Sequence, residues 1–337
     1  MLRGAIIGFG NIATRGHLPA YRDHEVADRL HIAAVMDVVG QTREKARELL
    51  PGAKFYPDIH TLLADEELDF VDICTPPQAH AHVIDACVQN NIHLICEKPL
   101  AHTAAISAEL VEKIRGAGVV FMPCHQYKYS PLWKTIGEIV MGGGIGKTTF
   151  AQFNVFRMQA DSGTAAWNPG WRTDKHQSGG GILVDTGAHY LYLAVSMFGE
   201  PNNVSSVLKT LKHFDYSVED TALVTLEYDD KLVQLNLTWA ASSRANTLLI
   251  TGTEGTLSYT GTSLRHTLNG NARELPMPDI SDKQQYVAWY VSLFREFSRR
   301  VEEHDTRGDL IDEAAIVMKL LDLSYRRSER EEMSQIA

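Results

Sequence analysis

Long apolar runs are missing from this 337-residue chain. No window approaches the roughly 18 to 20 apolar residues of a membrane-spanning helix, so we expect no membrane span. Blocks of like charge are also scarce, and the formal net charge is −10, from 32 basic and 42 acidic residues. Because nucleic-acid binding needs a concentrated basic face, the composition predicts no nucleic-acid partner.

Cysteine is rare, and its spacing excludes the common metal motifs. The four cysteines are Cys74, Cys87, Cys96 and Cys124, with no C-x-x-C pair among them. We expect small buried thiols in a reducing compartment, hence a cytoplasmic protein. The N-terminal stretch MLRGAIIGFG has one basic residue and a short apolar run that leads directly into glycines, which predicts a first strand rather than a signal peptide.

The first part of the chain has the pattern of an α/β domain. Hydrophobic residues make up 44% and charged residues 22% of the chain, as in globular proteins, and the length favours two domains. Near-continuous apolar runs alternate with amphipathic helical segments, for which Thr42 and Thr103 are candidate N-caps. This alternation predicts a doubly wound parallel sheet. The runs are GAIIGFG (4–10), HIAAVMD (31–37), LDFVDIC (68–74), IHLICEKP (92–99) and GVVFMP (118–123).

The pattern changes after residue 123. Ser130 and Pro131 are suited to the start of a helix over 130–142. Alternating segments with short turns follow, which predicts a largely antiparallel sheet, and helices are expected at 283–303 and 309–326. The sequence therefore predicts a Rossmann-type domain at 1–123 and an α+β domain for substrate binding and oligomerisation at 124–337. The predicted strands of the second domain lie at 147–158, 203–214, 220–230, 231–241 and 246–261.

A glycine motif follows the first predicted strand. Gly8, Gly10 and Ala13 match G-x-G-x-x-A, in which the glycines permit a tight turn and a close approach to a pyrophosphate. The alternative is a tight strand-to-helix turn without a ligand, but the α/β context favours dinucleotide binding. Asp37 follows the second strand, and its carboxylate would bind both ribose hydroxyls and repel a 2′-phosphate, which favours NAD. Arg43 could offset that repulsion, so NADP stays as the alternative.

Two further loops follow the fourth and fifth predicted strands, where open α/β sheets bind ligands. They are CTPPQAH (74–80) and CEKPLA (96–101). Lys98 lies between Glu97 and Pro99, and the proline restricts the direction of the lysine. A cation here can bind a substrate oxygen and stabilise alkoxide character as a hydride leaves carbon.

Five motifs occur in an order that resembles the Gfo/Idh/MocA family, which includes glucose-fructose oxidoreductase and inositol dehydrogenase. They are GFGNIA, Asp37, TPPQAH, EKPLA and WRTDKHQSGGGILVDTGAH. The resemblance implies a Rossmann domain followed by a largely antiparallel open sheet whose exposed face often forms the oligomer interface, here a homodimer or homotetramer. It also implies NAD(P)-dependent oxidation of a sugar or cyclitol hydroxyl, or the reverse reduction.

The resemblance also implies the roles of individual residues. The catalytic group is Lys98, Asp185 and His189, and the substrate-binding group is Tyr127, Trp171, Arg172, Asp185 and His189. Pro77 stands where the family often has asparagine. A proline side chain cannot make the polar contact to the nicotinamide end of the cofactor that an asparagine could make. The cofactor-binding group is Gly8, Gly10, Asn11, Ile12, Ala13, Asp37, Thr75, Pro76, His80, Glu97 and Lys98.

The proton carrier is left open by the sequence. Asp185 and His189 are four residues apart and would share one helix face. Either His189 is the general acid/base and Lys98 binds the reacting oxygen, or a buried Lys98 carries the proton. A catalytic metal would need a third ligand, and His176 is poorly placed for it, so no metal is expected. The glycines at 179–181 are expected to let the backbone pass close to a ligand.

Three other functions remain as alternatives to an NAD-dependent sugar or cyclitol dehydrogenase. One is an NAD(P)H-dependent keto-sugar reductase, for which a nucleotide-linked sugar is one candidate substrate. A second is redox-assisted glycoside cleavage with recycled NAD. The third is a non-catalytic NAD sensor, which would need neither Lys98 nor the pair of Asp185 and His189.

Overall fold

The computed structural model describes residues 1–163, 165 and 168–336. They group into two compact units. The first consists of residues 1–126, 162–171 and 286–315, and the second of residues 127–161, 172–285 and 316–337. The sequence predicted a division into 1–123 and 124–337, whose boundary lies three residues before the one at residue 126 in the structure. It did not predict that residues 162–171 and 286–315 belong to the first unit.

A six-stranded parallel sheet forms the centre of the first unit. Its strands are β1 (Leu2–Ile7), β2 (Leu30–Met36), β3 (Lys54–Tyr56), β4 (Phe70–Ile73), β5 (His93–Cys96) and β6 (Phe121–Pro123). The order β3-β2-β1-β4-β5-β6 is that of a classic doubly wound dinucleotide-binding sheet, and it confirms the predicted fold class. Five strands correspond to the predicted apolar runs, whereas the short β3 was not predicted.

The described part of the chain also contains α-helices in both units. They are α1 (Leu18–Tyr21), α2 (His24–Ala27), α3 (Thr42–Leu49), α4 (Ile59–Asp65), α5 (Pro77–Val88), α6 (Ala104–Ala117), α7 (Pro131–Met141), α8 (Lys175–Ser178), α9 (Ala188–Phe198), α10 (Tyr286–Glu302) and α11 (Asp309–Ile336). Two single π-helical turns, Ala13–His17 and Leu183–Gly187, directly precede α1 and α9. In the part of the chain that the structure describes, no helix combines the length and the apolarity needed to cross a membrane.

The capping predictions are confirmed at two helices and wrong at one. Thr103 caps α6 through the N–H of Ile106, and Ser130 caps α7. Thr42 is instead the first residue of α3, and its hydroxyl donates to the carbonyl of Val39 at 2.6 Å. A threonine hydroxyl can bond a nearby carbonyl as readily as it caps a helix, so the residue type alone did not define this boundary.

An eight-stranded sheet forms the centre of the second unit. Its strands are β7 (Thr148–Phe156), β8 (Asn203–Lys209), β9 (Thr221–Glu227), β10 (Leu232–Thr238), β11 (Ala245–Gly252), β12 (Gly255–Tyr259), β13 (Ser263–Leu268) and β14 (Asn271–Pro276). The order is β14-β13-β12-β11-β7-β10-β9-β8, antiparallel except between β7 and β10. The predicted segment 246–261 is two strands, and β13 and β14 were not predicted. One face is buried and the other is not, as the alternating sequences predict.

The Asp220 carboxylate, just before β9, holds the backbone segment that follows β8. Asp220 is fully buried and accepts hydrogen bonds from the backbone N–H groups of Leu211, Lys212 and His213 at 2.8–3.0 Å. Burial raises the pKa of Asp220, but the hydrogen bonds from these donors lower it by more, so the pKa of Asp220 lies below its ordinary value. The ionised carboxylate therefore fixes the turn after β8.

We predict that Asp220→Asn destabilises the protein by about 2–4 kcal/mol, because an amide places its own N–H groups against backbone donors. Since the pKa of Asp220 is lowered on folding, its contribution is present at neutral pH and lost as the pH falls below about 4. The difference between the two proteins should therefore shrink at acidic pH. Urea unfolding at several pH values measures it. Asp230→Asn, an exposed position paired with Lys231, is the control and should leave unfolding unchanged, whereas an equal effect of both variants would contradict the assignment.

Candidate active site

The glycine motif of the first unit forms the turn that the sequence predicts. Gly8 has φ +87°, and a Cβ there would lie 2.9 Å from the Thr75 side chain, so only glycine fits. Asp37, after β2, accepts hydrogen bonds from the N–H groups of Phe9 at 2.7 Å and Val39 at 2.8 Å. The carboxylate is thus anchored beside the turn, and each oxygen keeps acceptor capacity for a further donor.

Two observations at this edge of the sheet fit a dinucleotide. A Cβ built on Gly10 would meet no heavy atom within 4 Å, so the backbone here borders open space. The buried hydroxyl of Thr75, after β4, has no hydrogen-bond partner among the described residues. An open approach to the glycine loop and an unsatisfied hydroxyl are what a bound pyrophosphate and its riboside would use.

The loops after β4 and β5 are joined by His80. Its Nε2 lies 2.9 Å from the Thr75 carbonyl oxygen, and its Nδ1 lies 3.1 Å from that of Pro99. Burial lowers the pKa of His80, which favours the neutral imidazole. This side chain, predicted to bind the cofactor, therefore lies between the two loops that carry Pro76 and Lys98, and its neutral form donates to one of the two carbonyl oxygens. Asn11, Ile12 and Ala13 continue from the glycine turn into the first π-helical turn.

The arginine that could have favoured a 2′-phosphate has a different contact. The guanidinium of Arg43 lies 5.9 Å from the centre of the Phe55 ring, in cation–π geometry. Asp37 keeps its two backbone donors independently of Arg43, so the local arrangement supports NAD.

Glu97 and Lys98 directly follow β5. Glu97 is buried, and its carboxylate accepts the N–H of Lys98 at 3.2 Å, while the Lys98 side chain is half-buried. Burial raises the pKa of Glu97, but a hydrogen bond and the charge of His17, together with the charge of Lys98, lower it below the ordinary value. An ionised carboxylate thus lies beside Lys98.

In the second unit, Asp185 and His189 occur on one continuous helical segment. Asp185 lies in the π-helical turn and His189 in the first turn of α9. The Nε of Arg172 donates to Asp185 at 3.0 Å. The structure therefore joins Arg172 to Asp185, two residues that were predicted to bind substrate, of which Asp185 was also predicted to be catalytic.

His189 is buried and stacked on a tyrosine. The rings of Tyr127 and His189 lie 4.3 Å apart between centres, with planes 15° from parallel. The stacking restrains the imidazole plane and adds Tyr127, a fourth predicted residue, to the group of Arg172, Asp185 and His189. Trp171 ends a segment of the first unit, and Arg172 begins a segment of the second. The cofactor-binding residues and Lys98 thus belong to the first unit, and the other site residues except Trp171 to the second.

The glycines before Asp185 approach protein groups, which corrects the expectation that they make room for a ligand. A Cβ on Gly181 would lie 1.9 Å from the Glu219 carbonyl oxygen, and one on Gly180 would lie 2.0 Å from the Tyr325 hydroxyl. The Glu219 carboxylate accepts hydrogen bonds from the N–H groups of Gly181 at 2.9 Å and Leu183 at 3.1 Å, and from the Tyr325 hydroxyl at 2.8 Å. Glu219 therefore anchors the start of the helical segment that carries Asp185.

Two residues important for these groups were missed in the sequence. Glu219 lies 36 residues beyond Leu183, and no local pattern connects them. His17 follows the glycine motif closely and contacts Glu97. A histidine at the end of a dinucleotide-binding turn was a visible signal, but its partners are 55 and 80 residues away.

Two segments of the chain match models of one protein family. Residues 2–125 match the oxidoreductase family with an NAD-binding Rossmann fold, and residues 133–258 match the GFO/IDH/MocA C-terminal domain.

Curated relatives and solved structures agree with this match. D-apiose dehydrogenase of Paraburkholderia graminis is 27% identical over 76% of this chain and 66% of its own length. D-glucoside 3-dehydrogenase of Escherichia coli is 25% identical over 85% of each chain. A levoglucosan dehydrogenase, solved with NADH and levoglucosan, has the same fold, with a TM-score of 0.84 and 20% identity over 98% of each chain. The chain therefore belongs to the GFO/IDH/MocA family and is an NAD(P)-dependent oxidoreductase, with an NAD-binding Rossmann domain at residues 2–125.

Proposed function

We propose that the protein is an NAD-dependent dehydrogenase that oxidises a secondary hydroxyl of a sugar or cyclitol. The observation that carries the proposal is the group in the second unit in which Arg172 binds Asp185 and Tyr127 stacks on the buried His189. Such a group can bind a polyhydroxylated ring and accept a proton from it. The D-apiose, D-glucoside and levoglucosan dehydrogenases among the similar proteins support the substrate class.

In this proposal each of the main site residues has a stated role. NAD, when bound to the Rossmann domain, supplies the hydride acceptor. Lys98 donates a hydrogen bond to the reacting oxygen and stabilises its developing negative charge. His189 accepts the hydroxyl proton, because imidazole titrates near neutral pH and the Tyr127 stack holds its plane.

Asp185 and its neighbours orient the reactants. Arg172 donates to one oxygen of the Asp185 carboxylate, and the Thr186 hydroxyl donates to the other at 3.3 Å. The carboxylate, held in this way, orients His189 or a neighbouring substrate hydroxyl. Trp171 and Tyr127 contribute apolar surface for the sugar ring. Asp37 binds the ribose hydroxyls of NAD.

We also propose a cytoplasmic homodimer or homotetramer that associates through the sheet of the second unit. Four buried free cysteines support a reducing compartment. Val207, Leu223 and Leu232 lie on β8–β10 with 42%, 44% and 45% of their surface exposed. Val207 and Leu223 are cross-strand neighbours, so together they form a small apolar patch on the open face.

The function is tested by incubating the protein with NAD and a panel of D-apiose, levoglucosan, methyl D-glucoside, free hexoses and inositols. We expect NADH absorbance to rise with at least one of them. Cleavage of the glycoside without net NADH would favour the redox-assisted glycosidase, and activity only with NADH and a keto-sugar would favour the reductase. NAD binding without turnover in either direction would contradict the proposal and favour a sensor.

With the best substrate, Lys98→Met and His189→Ala should each lower kcat by at least about 100-fold, the low end for general acid/base catalysis. Lys113→Met and His24→Ala change the same residue types at exposed positions and should leave kcat unaltered. Retained turnover in either site variant would remove that residue from the mechanism. If Lys98→Met alone abolishes the pH dependence of kcat, Lys98 and not His189 carries the proton.

Asp37→Asn should raise the ratio of kcat/KM for NADP over NAD by at least about tenfold, because it removes a charge that repels the 2′-phosphate. Steady-state kinetics with both cofactors measures the ratio. Asp28→Asn, at an exposed position of the same unit, serves as the control. An unaltered ratio would show that Asp37 does not select the cofactor.

Light scattering should give two or four times the 37.5 kDa of one chain. Leu223→Glu should shift the mass toward the single chain, because it introduces charges into the apolar patch. Met141→Glu, at an exposed position outside the sheet, should leave the mass unaltered. A native mass of one chain would contradict the proposed assembly.

A further inference from the structure

His17 lies at the centre of a buried hydrogen-bond network in the first unit. It ends the π-helical turn that follows the glycine motif, and none of its surface is exposed. Its Nδ1 lies 2.8 Å from the Asp72 carboxylate, and its Nε2 lies 3.0 Å from the Glu97 carboxylate. The imidazole thus bridges a residue of β4 and the residue that follows β5.

A tyrosine hydroxyl completes the network on each side. Tyr21 donates to Asp72 at 3.0 Å, and Tyr290 of α10 donates to Glu97 at 2.8 Å. The Tyr290 ring also packs on His17, with centres 4.3 Å apart. Each carboxylate therefore has one imidazole and one hydroxyl partner, which makes the two sides matched in chemistry.

The network holds charge inside the protein. Burial lowers the pKa of His17, but the charge and hydrogen bond of Asp72 raise it well above its ordinary value. Burial raises the pKa of Glu97, but His17 and Lys98 lower it overall. An imidazolium therefore lies between two carboxylates, a pairing that offsets the cost of burying each ion.

The same residues do not have the arrangement of a metal centre or a reactive thiol. Asp72 with Cys74, and Glu97 with Cys124, lie near His17 at distances that could suit a metal. Both ring nitrogens of His17, however, already face carboxylates at hydrogen-bond distance, and both carboxylates have tyrosine donors. Burial also raises the pKa of the two thiols, which disfavours the thiolate that a metal or a nucleophile needs.

The two sides differ in what lies beyond them. On the Glu97 side, the second carboxylate oxygen accepts the backbone N–H of Lys98 at 3.2 Å. On the Asp72 side, the partners of the carboxylate are His17, Tyr21 and Cys74. Of the two carboxylates, that of Glu97 therefore has the described hydrogen bond that connects the buried imidazole to the residue proposed to bind the reacting oxygen.

We propose that His17 is a positioning residue of the reaction, which fixes the Glu97 carboxylate from inside the protein and through it the backbone of Lys98. The inference rests on the proposed function, because it takes Lys98 as the group that binds the reacting oxygen. His17 touches neither substrate nor cofactor in this role. Its effect on the rate comes from the placement of Lys98.

Two amide variants of His17 separate the sides of the network. The amide nitrogen of glutamine is as many bonds from Cβ as Nε2 of histidine, so His17→Gln keeps a donor toward Glu97. The amide nitrogen of asparagine corresponds to Nδ1 in the same way, so His17→Asn keeps a donor toward Asp72. Both variants lose the imidazolium charge, and the difference between them compares the loss of the hydrogen bond to Glu97 with the loss of the one to Asp72.

We expect His17→Asn to lower kcat by about 10- to 100-fold, as a displaced catalytic group does. His17→Gln should keep kcat within about threefold of that of the parent protein, the value of one partly replaced hydrogen bond. The dissociation constant of NADH, measured by its fluorescence, should be equal in both variants. Equal losses of kcat, or a greater loss in His17→Gln, would overturn the proposal and indicate a role in folding alone.

A second pair keeps the test decisive if either His17 variant fails to fold. Tyr290→Phe and Tyr21→Phe each remove one buried hydroxyl from one carboxylate of the network. Tyr290→Phe should lower kcat by at least about threefold more than Tyr21→Phe, which is the effect of a hydrogen bond of about 0.7 kcal/mol. Equal kcat in the two variants would contradict the proposal.

A measurement without turnover distinguishes failure of this inference from failure of the proposed function. Reductive methylation with ¹³C-formaldehyde gives an NMR signal for Lys98, assigned by its loss in Lys98→Arg. The signal should move in His17→Asn and Tyr290→Phe and keep its position in His17→Gln and Tyr21→Phe. If no sugar is oxidised, the proposed function fails, but this signal still decides whether His17 positions Lys98.

Discussion

Buried or partly buried carboxylates that accept backbone N–H groups organise both units of this protein. A carboxylate accepts several hydrogen bonds and donates none, and its transfer out of water is costly unless donors surround it. Asp37 meets this condition at the glycine turn, Glu97 at Lys98, and Glu219 at the segment before Asp185. In each case the backbone supplies donors, so the carboxylate and the loop order one another. The site residues are thus held in part by hydrogen bonds from main-chain N–H groups to carboxylates.

The sequence predicted those parts of the structure whose cause is local. Apolar runs with turns between them gave five of the six strands of the first sheet, and the capping residues Thr103 and Ser130 marked two helix starts. β3 has only three residues, too few for a periodic signal. The strands β13 and β14 carry mostly polar residues in a sheet that is open on one face, so their hydrophobic alternation is weak.

The site residues were predictable as candidates, but their partners were not. The motifs around Gly8, Lys98 and Asp185 are compact in sequence, whereas the hydrogen bonds of Glu219 and His17 join residues 36 to 106 positions apart. Such contacts follow from topology rather than from spacing. The helical segments that carry Ala13 and Asp185 each contain a π-helical turn, where an additional residue shifts the side chains relative to an ordinary α-helix. No periodicity in the sequence indicates these turns.

The return of α10 to the first unit determines when that unit can be completed during synthesis. All six strands of its sheet have left the ribosome once residue 123 has emerged, and they can pair as they do in the finished protein. Tyr290 is made more than 160 residues later, and until then the Glu97 carboxylate lacks its hydroxyl donor. Contacts so distant along the chain form late, because the intervening loop must first close. The strands of the Rossmann sheet can therefore pair before Tyr290 is synthesised, whereas the hydrogen-bond network of His17 and Glu97 is complete only afterwards.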